Sequence, residues 1–299
     1  MAEIIQKDGT WTFDGETLRL TPGRDKNIGL LRRTLGELAV PLEALAGISL
    51  EQGKKSGRLR LRLRDGADPL LHATGGRLTE PQDPYQLVVE SDRYGVAEYF
   101  TEEVRTALLL EQIPSGPVTG YLLPGPPLPL SVSAGDGTVS FDGERVRLEW
   151  NWKTEDAKSA AGPRTLAVPD LEGVEWQPAA GLENGHLRFL VRHAPAKVPA
   201  KYDPNAVELW GFKKDPLMAL VASAVQARLP HPSARSTPAA PALDGPRAPE
   251  GDRPAPADRA EDGHDALLRR LRELGELHRS GVLTDDEFAL AKQAVLKRM

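Results

Sequence analysis

Thirteen residues of this chain occur twice. Asp8 to Leu20 read DGTWTFDGETLRL and Asp136 to Leu148 read DGTVSFDGERVRL, identical at nine of thirteen positions and offset by 128. So dense a match at a constant offset marks an internal duplication, so the chain must build one fold twice. Inside the phrase, Trp11 and Phe13 alternate with Thr10 and Thr12, and Leu18 and Leu20 alternate with Thr17 and Arg19. Period two is the pattern of a strand with one buried face. Asp14-Gly15 and Asp142-Gly143 supply the positive φ that a tight hairpin turn demands. Two carboxylates around one glycine, without further ligands at metal spacing, mark a turn rather than a phosphate or metal loop. The phrase is structural.

The strands that follow also recur. Leu38-Ala39-Val40-Pro41 returns as Leu166-Ala167-Val168-Pro169, and Ala46-Gly47-Ile48 is answered by Glu172-Gly173-Val174. Gly57 to Gly66 is the cleanest alternation in the chain; its first part, Gly57 to Leu61, is answered by Gly185 to Phe189, and the strand after Asp83-Pro84 by Val207 to Trp210. The period then becomes helical. Val96, Tyr99, Phe100, Val104, Leu108 and Leu109 predict one buried helix face, and Leu217, Leu220, Val221, Ala224, Val225 and Leu229 predict the other. Trp150 and Trp152 continue the parity of Val146 and Leu148 and are expected to pack inward. The fold class is therefore mainly β with α (α+β): two tandem β-barrel or sandwich domains, each closed by a C-terminal helix.

Proline and glycine, 26 and 28 residues, fall unevenly and mark the joints. The expected layout is a first repeat over 1–112, a proline-rich spacer over 113–130 and a second repeat over 131–230. A Pro/Ala-rich linker over 231–264 has too few large apolar residues to offset its ordering entropy and is expected to be disordered. Over 265–299, Leu267, Leu268, Leu271, Leu274 and Leu277 recur at helical spacing, Ser280-Gly281 stops that helix, and Thr284 to Glu287 form a capping box for a second. Two helices this short need a partner surface. The interface predicted for the tail is Leu267, Leu271, Leu274, Leu277, Phe288, Ala291 and Val295.

A net charge of −5 argues against a general nucleic-acid or acidic-membrane binder, and the absence of cysteine removes disulfides, thiolate metal sites and cysteine nucleophiles. The N-terminal MAEIIQKDGT has neither the basic start nor the apolar core of a signal peptide, and the longest apolar stretches are too short to span a bilayer. The expected location is the cytoplasm. The six histidines form no HxxxH or HExxH pattern, and no GxSxG elbow, P-loop or dinucleotide fingerprint occurs. No catalytic, metal or cofactor residue is predicted.

One surface feature could bind a ligand. Arg58, Arg60, Arg62 and Arg64 line one face of one strand, where they could hold phosphate or an acidic partner. The plainer reading is that they protect an exposed or edge strand from pairing with another chain.

Two resemblances follow from these residues. The two copies of DGT-x-x-FDGE-x-x-RL, each followed by strands and a closing helix, resemble domain of unknown function 4429, a repeat of cytoplasmic actinobacterial proteins. That resemblance implies a pleckstrin-homology-like (PH-like) fold and no catalytic residues. Leu267 to Met299, with Gly281-Val282-Leu283-Thr284, then Glu287-Phe288 and Lys292, resemble the short C-terminal (SHOCT) domain, which implies oligomerisation or partner docking. The function so implied is a non-catalytic cytoplasmic scaffold. A protein partner or self-association would engage the tail. The alternative is an anionic-ligand module, for a membrane surface or nucleic acid, using Arg58 to Arg64.

Overall fold

The repeated phrase folds as its pattern predicts. In this computed structural model, which describes residues 1–192 and 198–235, Asp14 accepts hydrogen bonds from the Glu16 and Thr17 amides, and Asp142 accepts from those of Glu144 and Arg145. Gly15 and Gly143 sit at φ 111° and 114°, where a Cβ would be strained. These turns join β2 (Gly9–Phe13) to β3 (Thr17–Pro22) in the first copy. In the second they join β9 (Gly137–Phe141) to β10 (Arg145–Trp150).

Each hairpin extends at both edges. β1 (Ala2–Ile5) pairs with β2, and β4 (Leu38–Pro41) with β3; β8 (Leu130–Ala134) and β11 (Arg164–Ala167) hold the same places in the second copy. A second, three-stranded sheet follows, in the order β5 (Leu45–Glu51), β6 (Ser56–Leu63), β7 (Gln86–Glu90), and again β12 (Leu171–Gln177), β13 (Gly185–Val191), β14 (Ala206–Leu209). All pairings are antiparallel. The four-stranded and three-stranded sheets stay separate, so neither copy is a closed barrel.

Helices complete each copy. Short helices α1 (Leu30–Leu35) and α4 (Asp156–Ala161) precede β4 and β11, and α2 (Pro69–Thr74) lies between β6 and β7. α2 is built from strong local signals: Asp68 caps it by accepting from the Leu70 and Leu71 amides, Pro69 opens it, and left-handed Gly75 ends it. α3 (Tyr94–Leu110) closes the first copy, and α5 (Met218–Gln226) closes the second after a single 3-10 turn over Asp215–Leu217.

The face predicted for α3 holds at Phe100, Val104 and partly buried Leu108 but not at its other three positions. Ala97, Phe100, Thr101 and Val104 are buried, whereas Val96, Tyr99 and Leu109 are exposed, because the stripe that meets β5 and β1 runs 97, 100, 101, 104. For α5 the predicted stripe is too narrow, since every residue from Met218 to Gln226 is buried. Only one side of α5 meets its own sheets. The other meets α2 of the first copy, and Leu31, Leu70 and Ala73 of the first copy belong to the second copy's apolar cluster. The first copy keeps a core of its own, around Trp11, Leu59 and Phe100.

The proline-rich spacer is likewise fastened. Val118 and Leu123 are buried, the Val118 amide donates to Asp65 O, and the amides of Leu122 and Leu123 donate to Ala67 O. Trp150 is half-buried and its Nε1 donates to Gly162 O, but Trp152 is 89% exposed. The strand ends at Trp150, and the turn at Asn151 discards the parity on which inward packing was predicted. The linker from residue 236 onward and the tail interface Leu267, Leu271, Leu274, Leu277, Phe288, Ala291 and Val295 lie outside the described residues. Among the described residues no helix is long and apolar enough to cross a membrane.

Candidate functional site

The arginine stripe is formed as its spacing requires: Leu59, Leu61 and Leu63 point into the core while Arg58, Arg60, Arg62 and Arg64 face out. β6 is the central strand of its sheet, so these arginines do not guard an edge. Arg58 donates both Nη groups to the two oxygens of Glu80, at 2.5 and 2.7 Å. Arg60 lies 3.6 Å from Glu80 and 3.9 Å from Glu51. Arg64 donates to the carbonyls of Glu43, Gly116 and Pro117 and so ties the spacer to the first copy. Among the described residues Arg62 reaches only the Ala46 carbonyl, at 3.5 Å. In the second copy Arg188, at the register of Arg60, is buried and pairs with Asp203 at 2.9 Å.

A cavity of about 650 Å³ opens where the spacer crosses the first copy, lined by Arg64, Asp65, His72, Val118, His231 and Ser233 among others. The size suits a small molecule. Several polar groups in and beside it hold one another. Gln226 of α5 donates to the Tyr121 hydroxyl at 2.9 Å, and that hydroxyl lies 2.5 Å from His72 Nδ1 of α2. His231 Nε2 donates to Gly66 O at 3.0 Å, its ring meets Tyr121 edge-on at 4.8 Å, and Ser233 donates to Thr119 O. Asp68, which also lines the cavity, is buried as a residue and accepts from the Tyr85 hydroxyl at 2.7 Å. Burial raises the carboxyl of Asp68, and burial with the neighbouring Asp68 charge holds the Tyr85 phenol well above its ordinary range.

The repeated Asp of the phrase has a task that its sequence did not disclose. Asp8 Oδ2 accepts from the Val88 amide of β7, and Arg32 of α1 pairs with the same carboxylate at 3.2 Å. In the second copy Asp136 Oδ1 accepts from the Glu208 amide of β14, and Lys158 of α4 pairs with Asp136 at 2.6 Å. Lys158 is fully buried and also donates to Ala200 O. Each Asp therefore clips a β-turn to the far sheet and to a short helix. Burial raises the Asp136 carboxyl against the opposing pull of Lys158.

One feature is confined to the second copy. Lys153 Nζ lies 5.3 Å from the Trp152 ring centroid, 5.3 Å from that of Trp210 and 5.4 Å from that of Phe212. Trp210 and Phe212 meet edge to face at 5.8 Å. The turn carrying them is held rigid by buried Asp215, whose Oδ2 accepts from the Trp210, Gly211 and Phe212 amides at 2.8, 2.8 and 3.0 Å. The Trp210 indole donates to Glu208 Oε2, and Asn184 holds the other oxygen of that carboxylate. Sequence reasoning missed this cluster because Trp152 and Trp210 stand 58 positions apart on separate turns. Among the described residues no group of three or more His, Asp or Glu is placed to hold a metal ion.

Comparison with curated proteins returns no match. The family described as "Domain of unknown function (DUF4429)" matches the chain twice, at residues 11–105 and 139–226. Those spans run from β2 into α3 and from β9 to the end of α5, so each takes in both sheets of one copy. More than half of the chain is covered, and the chain belongs to the DUF4429 family with two copies of its domain.

Proposed function

We propose that this protein is a non-catalytic binding protein: two PH-like repeats fused into one recognition body, followed by a SHOCT-like tail that self-associates or docks on a protein partner in the cytoplasm. The strand order supports the PH-like reading, since a four-stranded sheet, a three-stranded sheet and a closing helix occur twice in that sequence. One observation carries the functional reading. Among the described residues, groups that could perform chemistry fasten the frame: His72 and Tyr121 join α2 to α5, Arg64 holds the spacer, His231 holds to the Gly66 carbonyl, and Asp8, Asp136 and Asp68 clip turns and a helix start. A frame so tied offers its outside for recognition.

The alternative, an anionic-ligand face at Arg58 to Arg64, is less well supported, because Glu80 and Glu51 already neutralise Arg58 and Arg60. The test is cross-linking with affinity capture from the native cytoplasm, with light scattering on the purified chain, for the full protein and for a version lacking residues 265–299. Loss of captured proteins or a fall in mass supports the reading. An unchanged mass with an unchanged set of captured proteins refutes it.

A further inference from the structure

We infer that Trp152, Trp210 and Phe212 form an aromatic cage for a methylated or quaternary ammonium ion, and that Lys153 is a built-in occupant which such a ligand displaces. Three ring faces converge on one cation within the roughly 6 Å reach of a cation–π contact. The Lys153 ammonium makes no hydrogen bond or ion pair to the described residues, so the rings are its partners. The Glu208 carboxylate, fixed on the Trp210 indole, adds a negative charge beside the cage.

The fold does not demand these rings. By strand register the first copy has Arg24, Asp25, Glu90 and Asp92 where the second has Trp152, Lys153, Trp210 and Phe212. There, Glu90 pairs with Lys7 at 2.7 Å, and all four of these residues are charged. The same architecture thus stands with charged side chains at these places. Trp152 at 89% and Phe212 at 56% exposure remove too little area from water to be core residues. An accessible aromatic trio around a cation, with two of its rings on a turn that Asp215 ties down, has the form that ammonium recognition uses.

The chemistry selects the ligand. A primary ammonium retains three N–H donors that want water, and Lys153 already offers one by intramolecular attachment. A methylated ammonium has few or no donors, is weakly hydrated, and presents methyl groups to the rings. It can therefore replace Lys153 where a bare ammonium cannot. The same head occurs on free choline, on choline lipids and on trimethylated lysine in a protein.

The experiment uses the full-length chain and follows tryptophan fluorescence and calorimetry on adding tetramethylammonium chloride, against ammonium and sodium chloride at equal ionic strength. Saturable binding of tetramethylammonium alone is expected. Trp152→Ala and Phe212→Ala should each weaken it about threefold to tenfold, the span of one cation–π contact. Lys153→Gln should tighten it by a similar factor, because the competitor is gone. Circular dichroism on the exposed-site variants confirms an unchanged fold. Choline, phosphatidylcholine against phosphatidylglycerol vesicles, and a trimethyl-lysine peptide against its unmodified form then separate the three sources. Equal response to ammonium and tetramethylammonium, no response at all, or indifference to Lys153→Gln would each overturn the cage. The idea deepens the recognition reading yet fails separately: a cage that binds in a chain whose tail captures nothing leaves the first and removes the second.

Discussion

Leu70 lies in the first copy by sequence, on α2, yet its side chain is buried in the second copy's apolar cluster, against the helix α5 that α2 packs on. Truncating it to alanine therefore tests whether the copies are two domains or one. At 3% exposure the site resembles those where Leu→Ala costs roughly 2–5 kcal/mol, the transfer term plus an unfilled cavity. Taking about 3 kcal/mol and a urea slope near 3 kcal/mol per molar, the unfolding midpoint should fall by about 1 M. The unfolding should remain a single transition, coincident by circular dichroism and by tryptophan fluorescence, which reports Trp11 in one core and Trp176 in the other. Hydrogen exchange gives the decisive local readout. Peptides spanning α5 should lose protection in Leu70→Ala although the substitution is more than a hundred residues away in sequence. Two separated transitions with only one displaced, or α5 peptides that exchange as in the parent chain, would refute a shared core.

Further outcomes follow from single contacts. Lys158→Met should cost about 3–5 kcal/mol in thermal or urea unfolding by stranding the buried Asp136 carboxylate, and adding Asp136→Asn should recover a large part of the loss. Tyr85 gives a pH signature. Its phenol is held above the ordinary value of about 10, so its contribution is full below pH 10 and is lost as pH rises toward the folded-state value, the unfolded chain ionising first. Tyr85→Phe should flatten that alkaline fall in the urea midpoint while costing about 1 kcal/mol at neutral pH for the lost bond to Asp68. Arg64→Ala, which releases three carbonyls, should destabilise by about 1–3 kcal/mol, whereas Arg62→Glu on the same strand should stay within about 0.5 kcal/mol of the parent.

How far the fold could be read in advance depended on whether one residue's neighbours along the chain decide its place. The hairpins β2–β3 and β9–β10 were legible because Asp-Gly fixes the turn and alternation fixes the faces, both within thirteen residues. α2 was overlooked although Asp68-Pro69 and Gly75-Gly76 are start and stop signals, because six residues carry too little periodicity to announce a helix. The sequence predicts α5 as a helix with one buried side. Ala219, Ala222 and Ser223 look neutral in sequence, whereas small side chains are what let α2 approach the second side. The clip made by Asp8 and Asp136 was beyond reach, since its partners Val88 and Glu208 lie 80 and 72 residues away and are chosen by how the two sheets meet.

A duplicated chain carries its own control. Where both copies use the same residue for the same contact, as Asp14 and Asp142 do in the turn and Asp8 and Asp136 do in the clip, the fold requires it. Where the copies share a backbone but differ in side chain, the fold is indifferent and another demand has acted. Two such differences stand out. α3 keeps a solvent face with Tyr99 and Leu109 exposed, while α5 in the same structural role has given up its solvent face to α2, which turns a repeat into a fused pair. The second is the exchange of Glu90 and Asp92 for Trp210 and Phe212 on a turn that Asp215 holds with three amide bonds. The first exchange buries apolar surface and is explained by stability. The second leaves Phe212 56% exposed and Trp210 half-buried, so core stability does not explain it. The proposed ammonium cage would account for both the rings and the turn that Asp215 ties beneath two of them, and the tetramethylammonium titration decides whether binding is that demand.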